Sequence, residues 1–487
     1  MTKRAGLDSF FAPKSVAVVG ATPNEEKGGY GIIFNMVDSF DGPVYPVNPG
    51  RDEILGLKCY PSLRDLKGKV EMAIVFVPAE KVPGVLEDAV EAGVKAAVIE
   101  SGGFAEVGEE GKRLSDRCKE ISVKSGLRIW GPNCTGLVNT DPFIFTPFVP
   151  IRRAQERLKP GCLGIIAQSG MLAAGFLIQY VVSGFFKVSK ACAIGNKLDV
   201  NEVEVLEYMA NDPKTCAVVA YLESIVDGHA FLEVARDMAG NKPLAVIKGG
   251  RYEESARAAL SHTASLAGSD EIIDGALHQA GVIRLEDFHD LMNLGKAFSL
   301  HPQPFNLATP EGNNIAIITI TGGAGVVTID MLRSSGLEMA ELKEGTIKNL
   351  AKVFPVWMPP RNPVDIWPAL EQNGIGIFAD VIRDVLADDS VDGVILLPFA
   401  NRAMEFFPFD KVGKEVQKRG KAMVSWMFGD TRYFDHFEEC LREFGVPVYS
   451  DIRSCVIAIE AYLQFSRAAR SRAGEHPSRE IKVASIV

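Results

Sequence analysis

Three short stretches of this chain pair glycine or hydroxyl residues with groups able to hold or carry phosphate. The first is Gly20-Ala21-Thr22-Pro23, followed by Lys27-Gly28-Gly29-Tyr30-Gly31. A glycine turn ahead of a helix leaves backbone N–H groups free for an anion. The second is Gln168-Ser169-Gly170, which opens another helix. The third, residues 258–270 (AALSHTASLAGSD), sets His262 among small hydroxyl residues. A neutral imidazole is nucleophilic and can carry a phosphoryl group. The anion so formed needs N–H donors such as a helix N-terminus offers. A carboxylate on the other ring nitrogen would orient the imidazole. Such a carrier suits acid activation: a carboxylic acid cannot condense with a thiol directly, because its oxygen leaves poorly, whereas an acyl phosphate is reactive. The remaining histidines (His229, His278, His289, His301, His436 and His476) show no paired spacing and read as structural or surface residues.

Other chemistries fit less well. The first glycine loop is longer than GxGxxG, and the second strand ends in Val47-Asn48-Pro49, with no acidic residue for a ribose. A nicotinamide oxidoreductase is therefore disfavoured. No GxxxxGK[ST] occurs, which excludes a P-loop. Lys and Arg number 52 against 62 Asp and Glu, a net charge of −10, which argues against a general nucleic-acid binder. The eight cysteines form no CxxC pair and no zinc-spaced cluster, so no metal site is expected. They read as inert free thiols of a reducing cytosol. The N-terminus MTKRAGLDSF lacks a signal-peptide core. The most apolar window, 165–182, is interrupted by Gln168, Ser169, Gly170 and Gln179, so no membrane span is expected. The expected location is cytoplasmic.

The elements that must position these residues are those of an α/β protein. Apolar runs at 15–20, 43–48, 71–77, 95–100 and 128–130 alternate with helical stretches such as 82–93 and 109–126. Strands buried on both faces imply a parallel doubly wound sheet, whose ligands lie beyond the carboxyl ends of the strands. A proline-rich, charged stretch at 140–159 reads as a linker. Strands then recur at 164–167, 216–222 and 244–248. After a second proline-rich boundary near 301–310, a third unit runs through 314–321, 392–398 and 421–428 to a helix at 457–469. The expected domains are 1–140, 141–305 and 306–470, with a polar tail at 471–487.

The runs VAVVGATPNEEKGGYG, YPVNPGRDEILGLKCYPSL, KAAVIESGGFAEVGEEGKRL and GPNCTGLVNT occur in that order over residues 7–140. Together they resemble the CoA-binding domain of NDP-forming acyl-CoA synthetases, relatives of succinyl-CoA synthetase that include ADP-forming acetate–CoA ligase. The resemblance implies a Rossmann-like CoA-binding domain followed by two flavodoxin-like, succinyl-CoA synthetase-like α/β domains. It places Gly20, Ala21, Thr22 and Lys27 along the CoA nucleotide, Val47, Asn48 and Pro78 at strand tips, and Ser101, Gly102 and Asn133 along the pantetheine. The family more often has Ala where this chain has Gly102.

SHTASLAGS resembles the family's active-site histidine segment, with Ala264 in place of the usual glycine. AYLES, residues 220–224, resembles the block whose glutamate pairs with that histidine, which makes Glu223 the orienting residue of His262. IAQSGMLA matches the phosphate-binding turn (Gln168, Ser169, Gly170). AIGNKLDV resembles an SxGN…D segment, with Ala193 where serine is common and Asn196 on the phosphate side. In the third unit Thr321-Gly322-Gly323-Ala324-Gly325 departs from the family's glycine run, while Asn362-Pro363-Val364-Asp365 matches its NPxD. Trp357 and Trp367 nearby could shape an acyl pocket or belong to a core. The family's ATP-grasp domain has no counterpart in these 487 residues. The resemblance therefore implies an α-type subunit for acid + CoA + NTP ⇌ acyl-CoA + NDP + phosphate, passing through an acyl phosphate and a phosphohistidine. Coenzyme A and a small carboxylic acid would bind here. A partner β subunit with the ATP-grasp fold would bind ATP or GTP with Mg²⁺, in a hetero-oligomer; a homodimer is the other assembly to expect. A CoA-binding regulatory protein without catalysis is the alternative, disfavoured by the intact His262 and Glu223.

Overall fold

In a computed structural model of the chain, the described residues are 6–475 except 177, 180–183, 185, 256–268 and 301–311. His262 therefore lies outside the described residues, as do His301, His476 and the end of the expected tail. The chain divides into two compact units. One comprises Met1–Met238 and Leu244–Glu286, and the other Ala239–Pro243 and Asp287–Val487.

The first unit holds two sheets. The N-terminal sheet is parallel, in the order Val44–Val47, Val16–Val19, Met72–Val75, Ala96–Ile99, Arg128–Trp130. Its four-residue strands VAVV, MAIV and AAVI are wholly buried, because helices cover both faces. Local signals bound those helices. Val82–Ala92 has proline in its first turn and stops at Gly93 (φ +81), and Glu109–Ser125 begins with two glutamates and stops at Gly126 (φ +81). Both devices follow the asymmetry of helix ends.

The second sheet has seven strands, in the order Ile283–Leu285, Leu244–Lys248, Ala217–Leu222, Pro160–Ala167, Val188–Ala193, Leu137–Thr140, Phe143–Phe145. The last two pair antiparallel at its edge. The stretch read as a linker is thus partly sheet. Asn35 fastens the chain beyond it, donating from Nδ2 to the carbonyls of Pro147 (2.7 Å) and Val149 (2.9 Å) and accepting from the Ile151 amide (2.9 Å). Sequence periodicity missed this because the tethers come from more than 100 residues away.

Buried polar links join the two sheets. The Arg128 guanidinium meets Asp199 (2.8 Å) and Glu204 (2.9 Å), and Trp130 Nε1 donates to the Ala193 carbonyl (2.7 Å). Cys162 and Cys216 form a disulfide, contrary to the expectation of eight free thiols. Sequence spacing could not reveal the pair, because parallel strand pairing brings together residues 54 apart. The other six cysteines are free, five of them buried.

The second unit carries a parallel six-stranded sheet, in the order Glu338–Met339, Asn314–Thr319, Gly393–Leu397, Ala422–Trp426, Val448–Tyr449, with Val364–Asp365 also pairing Asn314–Thr319. Asn362 acts as a strand splint. Its Oδ1 accepts from the Ile317 amide (2.9 Å), and its Nδ2 donates to the carbonyls of Ile315 (2.9 Å) and Ala340 (3.0 Å). The NPVD motif thus has a structural job. Trp357 and Trp367 are largely exposed, at 74% and 54%, and are not core. The final helix, Ile452–Glu475, runs several residues past the expected end at 469. Among the described residues no helix is long and apolar enough to cross a membrane.

Candidate active site

The carboxyl ends of the N-terminal sheet open into a cavity of 1170 Å³. Its floor is backbone. Gly20 has φ +90, and a Cβ there would lie 2.2 Å from the Phe76 carbonyl oxygen. A Cβ on Gly29 would lie 2.2 Å from the Gly20 carbonyl oxygen. Only glycine permits this approach of the helix Gly28–Ser39 to the first strand. No side chain caps that helix, so the amides of Gly28 and Gly29 remain for an anionic ligand. Lys27 and Lys81 supply positive charge at the same wall.

Of the residues expected to hold CoA, Gly20, Thr22, Lys27, Asn48, Pro78, Ser101, Gly102 and Asn133 line the cavity. Ala21 and Val47 do not: both side chains are buried. They act through carbonyls, Ala21 accepting from Asn48 Nδ2 (2.8 Å) and Val47 from the Gly20 amide (3.0 Å). Ser101 Oγ accepts from the Val77 amide (3.0 Å), which ties two strand tips together. Asn133, at φ +57, faces Asn196 Oδ1 at 3.4 Å.

The same cavity reaches Gln168, Ser169, Gly170, Asn196 and Glu223. Residues more than 200 apart in sequence thus share one opening within the first unit. The Gln168 side chain, expected to meet phosphate, is occupied by the protein itself. Its Oε1 accepts from the amides of Glu223 (2.9 Å) and Ser224 (3.0 Å), and its Nε2 donates to Ser224 Oγ (3.1 Å). It shapes the Glu223 loop, and the Ser169-Gly170 backbone is what remains open. Asn196 Nδ2 donates to Glu106 (2.6 Å). Burial pushes the Glu106 carboxyl up, but the amides of Phe104 and Gly103 and the Asn196 side chain outweigh it and hold the carboxyl below its usual range.

Four ionisable groups absent from the expected set also shape this end. Lys197, at φ +56, is buried; its ammonium pairs with Glu202 (3.0 Å) and donates to the carbonyl (2.9 Å) and hydroxyl (2.8 Å) of Ser224. Glu202 in turn accepts from the Val226 amide (2.5 Å). Burial pushes the Lys197 ammonium down, against the raising effect of Glu202. Tyr221 donates to Glu223 Oε1 (3.2 Å), which fixes that carboxylate. Glu100 lines the cavity at 4% exposure, and neither of its oxygens makes a well-formed hydrogen bond. Burial pushes its carboxyl far up; nearby Thr146 and the Phe148 amide ease this only in part. The signals were present in the sequence: Glu100 ends an otherwise apolar run, and Lys197 sits in the GNKLD block. Neither spacing says that the side chain turns inward.

Two family profiles match the chain: a CoA binding domain over residues 14–140 and a succinyl-CoA ligase like flavodoxin domain over residues 160–298. The chain is 38% identical over 466 residues to ADP-forming acetate–CoA ligase II of Archaeoglobus fulgidus, covering 95% of this chain and 67% of that one. It is 34% identical to the α subunit of ADP-forming acetate–CoA ligase II of Pyrococcus furiosus, covering 94% of this chain and 97% of the subunit. Among solved structures it is similar to the dinucleotide-forming acetyl-coenzyme A synthetase 1 of Ca. Korarchaeum cryptofilum in complex with phosphate and ADP. That match has a TM-score of 0.83 and 31% identity, and it covers 97% of this chain and 99% of the other.

Proposed function

The chain belongs to the NDP-forming acyl-CoA synthetase family, as an α subunit of the ADP-forming acetate–CoA ligase type, and we propose that its 1170 Å³ cavity is where CoA and the activated acid meet. The reaction is acid + CoA + NTP ⇌ acyl-CoA + NDP + phosphate. The observation that carries the assignment of the cavity is its lining: the glycine floor and the Glu223 loop share one opening. The first is built for a phosphate-bearing nucleotide, the second for an oriented imidazole.

The residues divide the work as follows. The amides of Gly28 and Gly29, with Lys27, hold the CoA phosphates. Ser101, Gly102 and Asn133 flank the path of its pantetheine arm toward the second sheet. Glu223, held by Tyr221 and by the Gln168 and Lys197 braces, orients His262 through one ring nitrogen while the other takes the phosphoryl group from the nucleotide. The Ser169-Gly170 amides balance the added charge. The phosphoryl group then passes from His262 to the acid's carboxylate oxygen, and His262 returns to neutral imidazole. The CoA thiol displaces phosphate from the acyl carbon, with its proton leaving to the phosphate or water. Nucleotide and Mg²⁺ are bound by a partner with the ATP-grasp fold, which completes a hetero-oligomer.

The test combines the chain, its co-purified partner and γ-labelled ATP. Acid-labile label on wild type and none on His262→Ala is the expected result. Equal labelling of both proteins refutes the carrier role of His262. CoA binding without labelling in any partner's presence supports a non-catalytic CoA-binding protein instead.

A further inference from the structure

Three polar side chains form a hydrogen-bonded chain at one wall of the large cavity, within the first unit. It begins at Glu106, in the short helical turn Ala105–Val107 that follows the strand Ala96–Ile99. Glu106 Oε1 accepts from the amides of Gly103 (2.7 Å) and Phe104 (3.1 Å), and its Oε2 accepts from Asn196 Nδ2 (2.6 Å). Asn196 Oδ1 accepts in turn from Asn133 Nδ2 (3.4 Å). Asn133 and Asn196 line the cavity, and Glu106 supports them from outside its lining.

Elementary chemistry gives this chain a direction. A side-chain amide can present either end to a neighbour, but an ionised carboxylate only accepts. Glu106 is ionised: burial pushes its carboxyl up, yet the loop amides and Asn196 hold it below its usual range. Asn196 must therefore turn its NH₂ to Glu106 and its oxygen to Asn133. Asn133 must give its NH₂ to Asn196, which leaves Asn133 Oδ1 as the open end. Among the described residues no donor meets that oxygen. Two backbone features hold it in place. Asn133 sits at φ +57, a conformation that asparagine tolerates, and its amide donates to the Ser101 carbonyl (2.9 Å). Gly102 lies opposite, where a Cβ would stand 3.2 Å from Asn133 Oδ1. Glycine leaves that approach clear. An oxygen acceptor polarised by a chain that ends on a carboxylate is matched to a ligand N–H. Each pantetheine amide of CoA carries one. Just beyond Asn133, Thr135 Oγ1 donates to the Gly170 carbonyl (3.0 Å), so this wall adjoins the turn where the thiol end must arrive.

We propose that Glu106 and Asn196 are positioning residues, which present Asn133 Oδ1 as the acceptor for the pantetheine amide N–H nearest the thiol. The proposal rests on the CoA reading of the cavity above. It moves Asn196 from the phosphate side to the CoA side, because both ends of its amide are taken by Glu106 and Asn133.

The experiment uses the full chain with its partner and compares CoA with an analogue in which CH₂ replaces that amide N–H. Dissociation constants are read by calorimetry, and KM and kcat from thioester formation. Wild type should bind the analogue about tenfold more weakly than CoA, because the acceptor is left unpaired. In Glu106→Gln the group facing Asn196 can donate as well as accept, so the direction of the chain is lost. That variant should bind CoA about tenfold more weakly, and its CoA-to-analogue ratio should shrink to about twofold or less. A loss confined to binding raises KM for CoA and leaves kcat at saturating CoA, and labelling of His262 by ATP, within about threefold of wild type. Asn133→Gly keeps the positive φ without strain and removes the acceptor. It should erase the ratio too, and it decides the matter if Glu106→Gln folds poorly. A ratio that stays at its wild-type value in both variants overturns the proposal, since mere loosening of the loop weakens both ligands alike. Equal binding of CoA and the analogue by wild type overturns it as well. The calorimetric constants need no turnover. A chain that shows the expected ratios but forms no thioester therefore refutes the synthetase reading and leaves the proposal standing, whereas failure to bind CoA refutes both.

Discussion

The two ends of the large cavity are built from different materials. At the N-terminal sheet the ligand surface is backbone: Gly20 and Gly29 let a helix approach a strand so closely that amides form the surface. At the Glu223 end the surface is held by side chains. Gln168, Lys197, Glu202 and Tyr221 converge on three residues, Glu223, Ser224 and Val226, through hydrogen bonds and one buried ion pair. A backbone surface tolerates many sequences provided its glycines stay. A side-chain brace depends on each member, because a buried charge without its partner costs about 3–5 kcal/mol. In the proposed mechanism, binding thus falls to the robust end and phosphoryl transfer to the coupled end.

Four substitutions sharpen or break that contrast. Glu223→Gln keeps the shape of the coupled end but removes the charge proposed to orient the imidazole. Turnover should fall about 10³- to 10⁴-fold, as for other histidines that lose their orienting carboxylate. The CoA dissociation constant, read by calorimetry, should stay within about twofold of wild type if the ends work independently. Gly20→Ala attacks the other end. The positive φ and the 2.2 Å approach to the Phe76 oxygen add about 1–3 kcal/mol of strain. CoA affinity should drop roughly ten- to a hundredfold, while acid-labile labelling of His262 by ATP persists. Loss of labelling in Gly20→Ala would show that the two ends are one cooperative structure.

Lys197→Met removes the brace without touching a reacting atom. We expect turnover to fall by about tenfold with KM for CoA little changed, and thermal stability to fall because Glu202 is left buried and unpaired. A parallel rise in the KM for CoA would mark the loop as shared by both ends. The smallest effect belongs to Glu100→Gln. The Glu100 carboxyl is raised far above its usual range by burial, so the folded state holds a proton that the unfolded state releases. Stability from this group is full below the unfolded value and declines as pH rises toward the folded one. Glu100→Gln should therefore raise Tm at pH 8 by a few degrees, at about 2–4 °C per kcal/mol, with the gain shrinking at pH 5. An unchanged pH dependence of Tm would mean that Glu100 ionises at no cost in the fold.

Much of this was legible in the chain. The five N-terminal strands stand where the apolar runs put them, ending within two residues of the expected positions. Gly20, Lys27, Asn48, Ser101 and Asn133 all line the cavity. The misses share one cause. The Asn35 tethers to 147–151, the Cys162–Cys216 disulfide, the Lys197 brace and the occupied Gln168 side chain all depend on partners distant in sequence. Local period and spacing carry no information about them.

By itself the sequence determined the parallel α/β plan, because runs of buried aliphatic residues between helices have few other ways to hide both faces. It also determined the anion-binding turn, because glycine is the residue that survives φ +90 against a carbonyl. Only the tertiary structure decided which charged side chains face the cavity and which are consumed in bracing it. Those outcomes follow from the direction of a side chain at a strand tip and from the company it finds there. Both are set when distant segments pack, and neither is written in local spacing.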